Sequence, residues 1–120
     1  MQISQLYRRG VVRPLDDDAS KQLANFKIED SLRTEWLPIL SDSQFMEIWK
    51  TGILQRINEA CGIGISDYED VELHSSQVGL ALQVIRSDRD IVDSPLLFFQ
   101  QLAALLEAAI DTEKNVYFIF

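Results

Sequence analysis

Apolar residues recur every three to four positions along the middle and late parts of the chain, and every second position at its two ends. Phe45, Ile48, Trp49, Ile53, Ile57 and Cys61 share one face of a helix predicted over about residues 43–61. Ser41 or Ser43 can cap its start, and Gly62 is placed to end it in a left-handed C-cap. Gly52 inside this run costs about 1 kcal/mol relative to Ala, and its missing side chain lets another element pack closely. Val78, Leu82 and Ile85 mark an amphipathic helix over about 75–85. A polar loop is expected from Ser87 to Asp93. Ser94-Pro95 is then a helix start, with proline in the first turn. Leu96, Phe99, Leu102, Ala103, Leu106 and Ile110 form its stripe as far as about Asp111. Leu97, Phe98 and Leu105 widen that stripe to more than half the circumference, which predicts a central helix touching a sheet and other helices.

At the ends the period is two. Gln2 to Tyr7 reads as a short strand broken by Gly10, and Val11 and Val12 extend towards Pro14. Val116, Phe118 and Phe120 alternate with Tyr117 and Ile119 in a terminal strand. A strand so apolar must be covered on both faces or paired, because a bare one is an aggregation edge. Between the first strand and the long helix, Asp16, Asp17 and Asp18 precede a short helical stretch, where negative charge meets the helix dipole. Leu32 and Trp36 suggest a short helix near 29–36, ended by Pro38. The expected fold class is α+β, with about four helices packed on a small sheet that includes the N-terminal and C-terminal strands. Residues 1–120 form one domain of ordinary size.

Composition narrows the class. The hydrophobic fraction of 47% is that of a globular protein. No apolar run approaches the roughly 18 residues that span a bilayer, and the start lacks a signal-peptide core. The expectation is a cytoplasmic protein without membrane contact. Net charge is −8. Residues 1–60 hold eight basic and nine acidic side chains, whereas residues 61–120 hold three and ten. No Lys or Arg occurs between Arg56 and Arg86, an interval that holds Glu59, Asp67, Glu69, Asp70 and Glu72. Such a surface repels phosphate backbones and attracts basic partners. The expected partner is therefore a basic protein and not nucleic acid.

Catalytic inventory is poor. His74 is the single histidine and Cys61 the single cysteine, which rules out an intramolecular disulfide and leaves zinc without its usual N/S shell. Cys61 sits in the apolar stripe, as a buried residue does. Gly62-Ile63-Gly64 lacks the third glycine of a nucleotide loop, and no phosphate-loop or nucleophile-elbow motif is present. No catalytic residue, metal site or cofactor is expected. Asp67, Tyr68, Glu69, Asp70 and Glu72 form the main candidate site, with Asp16, Asp17 and Asp18 as an extension. In that reading the carboxylates pair with Lys or Arg, and Tyr68 supplies an aromatic anchor. A solvated acidic turn is the alternative for the run, and a helix cap the alternative for the three aspartates. A carboxylate hydrolase is a third class, but the sequence gives no sign of two carboxyls across a cleft.

The stretch Phe45-Met46-Glu47-Ile48-Trp49, through Ile57-Asn58 to Ile65-Ser66-Asp67-Tyr68-Glu69-Asp70, resembles a pattern in small acidic bacterial immunity proteins. The resemblance covers about residues 45–73. It implies a bacterial cytoplasmic protein that binds a cognate toxin domain, often a nuclease, and blocks its active site. With the poor catalytic inventory and the one-sided charge, the expectation is a protein that is not an enzyme and neutralises the toxin through its acidic surface. The competing expectation is a structural or adaptor protein that self-associates through its terminal strand or through helix 95–111.

Overall fold

The computed structural model describes residues 9–28, 31–67, 69–88 and 97–120. Four strands, β1 (Gly10–Pro14), β2 (Thr34–Pro38), β3 (Asp70–Leu73) and β4 (Val116–Ile119), form one antiparallel sheet in the order β2-β1-β4-β3. Among the described residues the helices are α1 (Asp17–Ala24), α2 (Asp42–Lys50), α3 (Ile53–Cys61), α4 (Val78–Arg86) and α5 (Phe98–Thr112), with a short 3-10 turn at Ser75–Gln77. The α+β class holds, and both terminal strands of the described chain lie in the sheet. The expected strand over Gln2–Tyr7, and the expected helix start at Ser94-Pro95, lie outside the described residues. The N-terminal strand that is described is the Val11-Val12 segment.

Registration divides the sheet into two faces. Val11 pairs with Leu37 and Phe118, and Phe118 with Val71. With Leu73 and Val116 these residues face the main core, which α2, α3, α4 and α5 complete through Ile48, Ile53, Leu54, Ile57, Leu82, Phe99, Leu102 and Leu106. The neighbouring positions point the other way. Val12, Tyr117 and Ile119 pack beneath Leu23 of α1, flanked by Ile28 and Trp36. Burying an aliphatic or aromatic side chain of this size stabilises by about 1.5–3 kcal/mol. All four residues of β4 are buried, as the apolar alternation requires.

Two expectations give way to local backbone chemistry. The apolar stripe from Phe45 to Cys61 is two helices, not one, because Gly52 adopts φ 78° between them. Its N–H still reaches back to the Trp49 carbonyl (3.1 Å), but the left-handed residue turns the chain and starts α3 on a new axis. The stripe survives because both helices turn the same set of residues inward. The expected helix near 29–36 is instead the edge strand β2. Leu37 faces the main core and Trp36 the opposite side, a period of two that the short run did not reveal.

The other termini follow side-chain capping. Asp16 accepts from the Ala19 N–H (2.8 Å) to start α1, and Ser41 accepts from the Gln44 N–H (3.0 Å) to start α2. The Gln44 side chain in turn accepts from the Leu40 N–H (2.7 Å). Gly62 closes α3 in the left-handed conformation, as expected, at φ 67°. Asn58 then pins the following loop by bonding both the N–H and the carbonyl of Ile65, at 2.7 and 3.0 Å. That anchorage carries the chain out of the core and into the acidic stretch before β3.

Gly10 and Gly52 differ in what a methyl group would meet. At Gly52 a Cβ has open space among the described residues, so no element packs closely there, against the expectation, and only the positive φ resists a side chain. At Gly10 a Cβ would lie 2.3 Å from the Leu37 carbonyl oxygen, at a φ of 150°. We expect Gly52→Ala to cost about 1–2 kcal/mol in urea unfolding, the usual cost of a left-handed non-glycine residue. Gly10→Ala should cost more, because strands β1 and β2 must separate; equal losses would contradict this packing.

Candidate protein-interaction surface

The acidic run lies in a loop and the edge strand that follows it. Asp67 and Glu69 are exposed in the loop, and Asp70 and Glu72 are in β3. Tyr68, the expected aromatic anchor, lies outside the described residues. Within β3 the side chains divide by alternation. Val71 and Leu73 turn to the main core, while Asp70 and Glu72 share the opposite face with their partners Ile119 and Tyr117. Strand geometry sets Asp70 and Glu72 about 6.7 Å apart along the edge.

Glu72 is held by its cross-strand neighbour. The Tyr117 hydroxyl donates to the Glu72 carboxylate and accepts from the Asn115 side chain. Asn115 also accepts from the Ser75 N–H (2.8 Å), which ties the start of β4 to the end of β3. The Tyr117 ring is buried, with Phe26 set edge-on at 5.9 Å. Burial and the Glu72 carboxylate push the phenol up to about 12. Partial burial likewise raises Asp70 above the usual carboxylate range. Thus the edge carries a half-buried carboxylate fixed by a buried phenol, and at Asp70 an exposed one.

The three early aspartates lie on the same side of the sheet, since α1 covers the face to which Asp70 and Glu72 point. They do not form one cluster with uniform roles. Asp16 is spent as the cap of α1. Asp17 pairs with Lys114 at 2.6 Å, and that ammonium lowers its pKa. Asp18 is exposed in the first turn. The helix-cap alternative therefore describes Asp16, and a partner can reach Asp18 without breaking an ion pair.

Four described arginines are engaged away from the edge. Arg9 pairs with Asp42, Arg13 with Glu35 and Arg56 with Asp88, each at 2.6 Å, and Arg86 pairs with Glu107. Among the described residues, Asp67, Glu69, Asp70 and Glu72 make no ion pair. Lys21 and Lys27 lie on and just after α1 and temper the field at its far end. At the near end, Asp111 and Glu113 of the α5 terminus add to it. Carboxylates therefore run from the loop at Asp67, along β3, to the end of α5, where Lys114 is engaged by Asp17.

Among the described residues no group of three His, Cys, Asp or Glu side chains converges as metal ligands. Cys61 is buried, its thiol donates to the Gln77 carbonyl (3.7 Å), and burial raises its pKa. His74 is exposed and caps the 3-10 turn by accepting from the Ser76 N–H (3.2 Å). Among the described residues no helix is long and apolar enough to cross a membrane. The organising residues Tyr117, Asn115 and Lys114 were not legible as part of the site. Tyr117 meets Glu72, Asn115 meets Ser75 and Lys114 meets Asp17, partners far apart in the chain that only the fold brings together.

No protein-family model and no curated protein sequence matches the chain. A search of solved structures finds the Neisseria DNA mimic protein DMP12. It shares the fold with TM-score 0.61 and 17% identity over 93% of this chain and 99% of that one. This neighbour corrects the expectation that nucleic acid has no part in the partnerships. A protein of the same fold is a mimic of DNA. Repulsion between carboxylates and phosphates bears on direct contact alone; it does not separate an acidic protein from the proteins that bind nucleic acid.

Tyr117 and Asp70, both raised, each lose stability as pH rises, in two separate windows. Tyr117 has its folded pKa above the unfolded value near 10. Its contribution is complete below pH 10 and is lost as pH rises towards 12. Tyr117→Phe should flatten the alkaline fall in unfolding free energy over that window. Asp70 is raised, so its charged form weakens the fold at neutral pH and protonation relieves the cost. Asp70→Asn should raise stability at pH 7 by about 0.5 kcal/mol or less, with the gain gone below the carboxylate range. A gain that grows on acidification would show the opposite sign.

Proposed function

We propose that this protein works by binding rather than catalysis, and that it presents an acidic surface to a nucleic-acid-binding protein in place of a phosphate backbone. The observation that carries the reading is the exposed loop and edge strand with Asp67, Glu69, Asp70 and Glu72, free of ion pairs among the described residues while four arginines are engaged elsewhere. A protein that accepts phosphates offers an array of Lys and Arg. Asp70 and Glu72, held on the sheet, can meet that array without the cost of ordering a loop. Long-range attraction speeds such an encounter by about 10–1000-fold at low salt. The shared fold with a DNA mimic supports the same reading. A toxin nuclease is one protein with a phosphate-accepting cleft, so the resemblance to immunity proteins names a special case of this partner class.

The test uses the whole protein, immobilised, with a cell extract passed over it. Retained proteins should bind a short duplex DNA and be released by it in competition. The variant Glu69→Lys/Asp70→Lys should slow association by about tenfold at low salt and reduce its salt dependence. Partners indifferent to duplex DNA, or an unchanged association rate for the variant, would refute the reading.

A further inference from the structure

The two edges of the sheet are not equivalent. The Ile39 N–H donates to the Arg9 carbonyl, and the Leu15 N–H to the Arg33 carbonyl. Odd-numbered residues of β1 therefore turn their backbone groups to β2. In an antiparallel ladder the alternate residues must then turn theirs to the other neighbour. Gly10 and Val12 answer Ile119 and Tyr117 of β4, which leaves Val116 and Phe118 to pair with Leu73 and Val71. The N–H and C=O groups of Asp70 and Glu72 consequently point out of the sheet. Among the described residues no backbone group bonds to them from that side.

At the opposite edge the outward residues of β2 are Thr34, Trp36 and Pro38, by the same parity. Pro38 has no N–H to offer, so that edge is blunted in a familiar way. The β3 edge has no proline and no lysine. Its guard is charge: a second copy paired antiparallel would set Asp70 and Glu72 against like carboxylates, which is destabilising. The guard excludes copies of this chain, and the same charge favours a strand of opposite sign.

We propose that the β3 edge is a strand-addition site for an extended basic segment of the partner, with Lys or Arg at alternate positions. The inference rests on the acidic-surface reading above and specifies how the partner engages it. A docked strand lies about 4.8 Å from β3 and bonds the outward groups of Asp70 and Glu72. Residues directly opposite these two point to the same face, so each places a cation against a carboxylate. Residues between the cations point to the other face, beside half-buried Val71, and are apolar or β-branched. Backbone bonds supply affinity and the alternating side chains supply selection.

The probes are two peptides of identical composition, one alternating Lys and Val between Thr ends, the other with the Lys residues consecutive. A third carries N-methyl groups on the amides of the alternating peptide. With the full chain, NMR titration should show the alternating peptide binding about tenfold tighter than either control, the effect of one or two net backbone hydrogen bonds. The Asp70 and Glu72 amides should gain protection from hydrogen exchange. Equal affinities for the three peptides, undetectable binding, or no added protection at those amides would overturn strand addition. Failure here, with duplex DNA still displacing a natural partner, removes the strand mode and leaves the acidic surface standing. Success here with no DNA-sensitive partner removes the nucleic-acid reading instead.

Discussion

The structure depends on burying β4 from both sides. Val116 and Phe118 need one apolar cover, and Tyr117 and Ile119 need another. A four-residue strand cannot satisfy that demand with a single layer of helices. The larger cover comes from α2, α3, α4 and α5, and the smaller from α1, whose Leu23 closes over Val12 and Tyr117. Pairing with β1 and β3 satisfies the backbone groups of β4 on its two flanks. The strand that looked most prone to self-association is thereby interior, and the adaptor alternative loses its free edge there.

The same constraint creates the candidate surface. On its sheet face α1 packs over Val12, Tyr117 and Ile119, and Asp70 beside them is exposed. Acidic residues can occupy that flank only because their faces alternate: Val71 and Leu73 complete the core while Asp70 and Glu72 remain outside it. Tyr117 links the two environments, with its ring in the α1 core and its hydroxyl on Glu72. A partner's strand at this edge would meet groups already ordered by the fold, and preorganisation of that kind lowers the cost of binding.

Several elements were legible as local patterns. The caps at Asp16, Ser41 and Gly62, the helix after residue 97 and the alternation of β4 follow from chemistry within a few residues. Two readings failed where local signals compete. Phe45 to Cys61 has one apolar period, yet a single left-handed glycine divides it. The segment around Trp36 has too few apolar residues to separate a period of two from one near four, and pairing with β1 decided it. The acidic run was visible as charge. Its division into a loop and an edge strand was not, nor was the loss of Asp16 to a cap and Asp17 to Lys114.

Taken by itself, the order of residues determined the α+β class, the apolar stripes, the helix caps and the excess of negative charge in the second half. These depend on neighbours within one or two turns, so they need no knowledge of the fold. Tertiary structure alone decided which strand lies at an edge, which carboxylates face outward with it, and which ones a distant lysine or phenol engages. Those outcomes depend on strand order and on pairing parity between segments that contribute nothing to each other's local preferences.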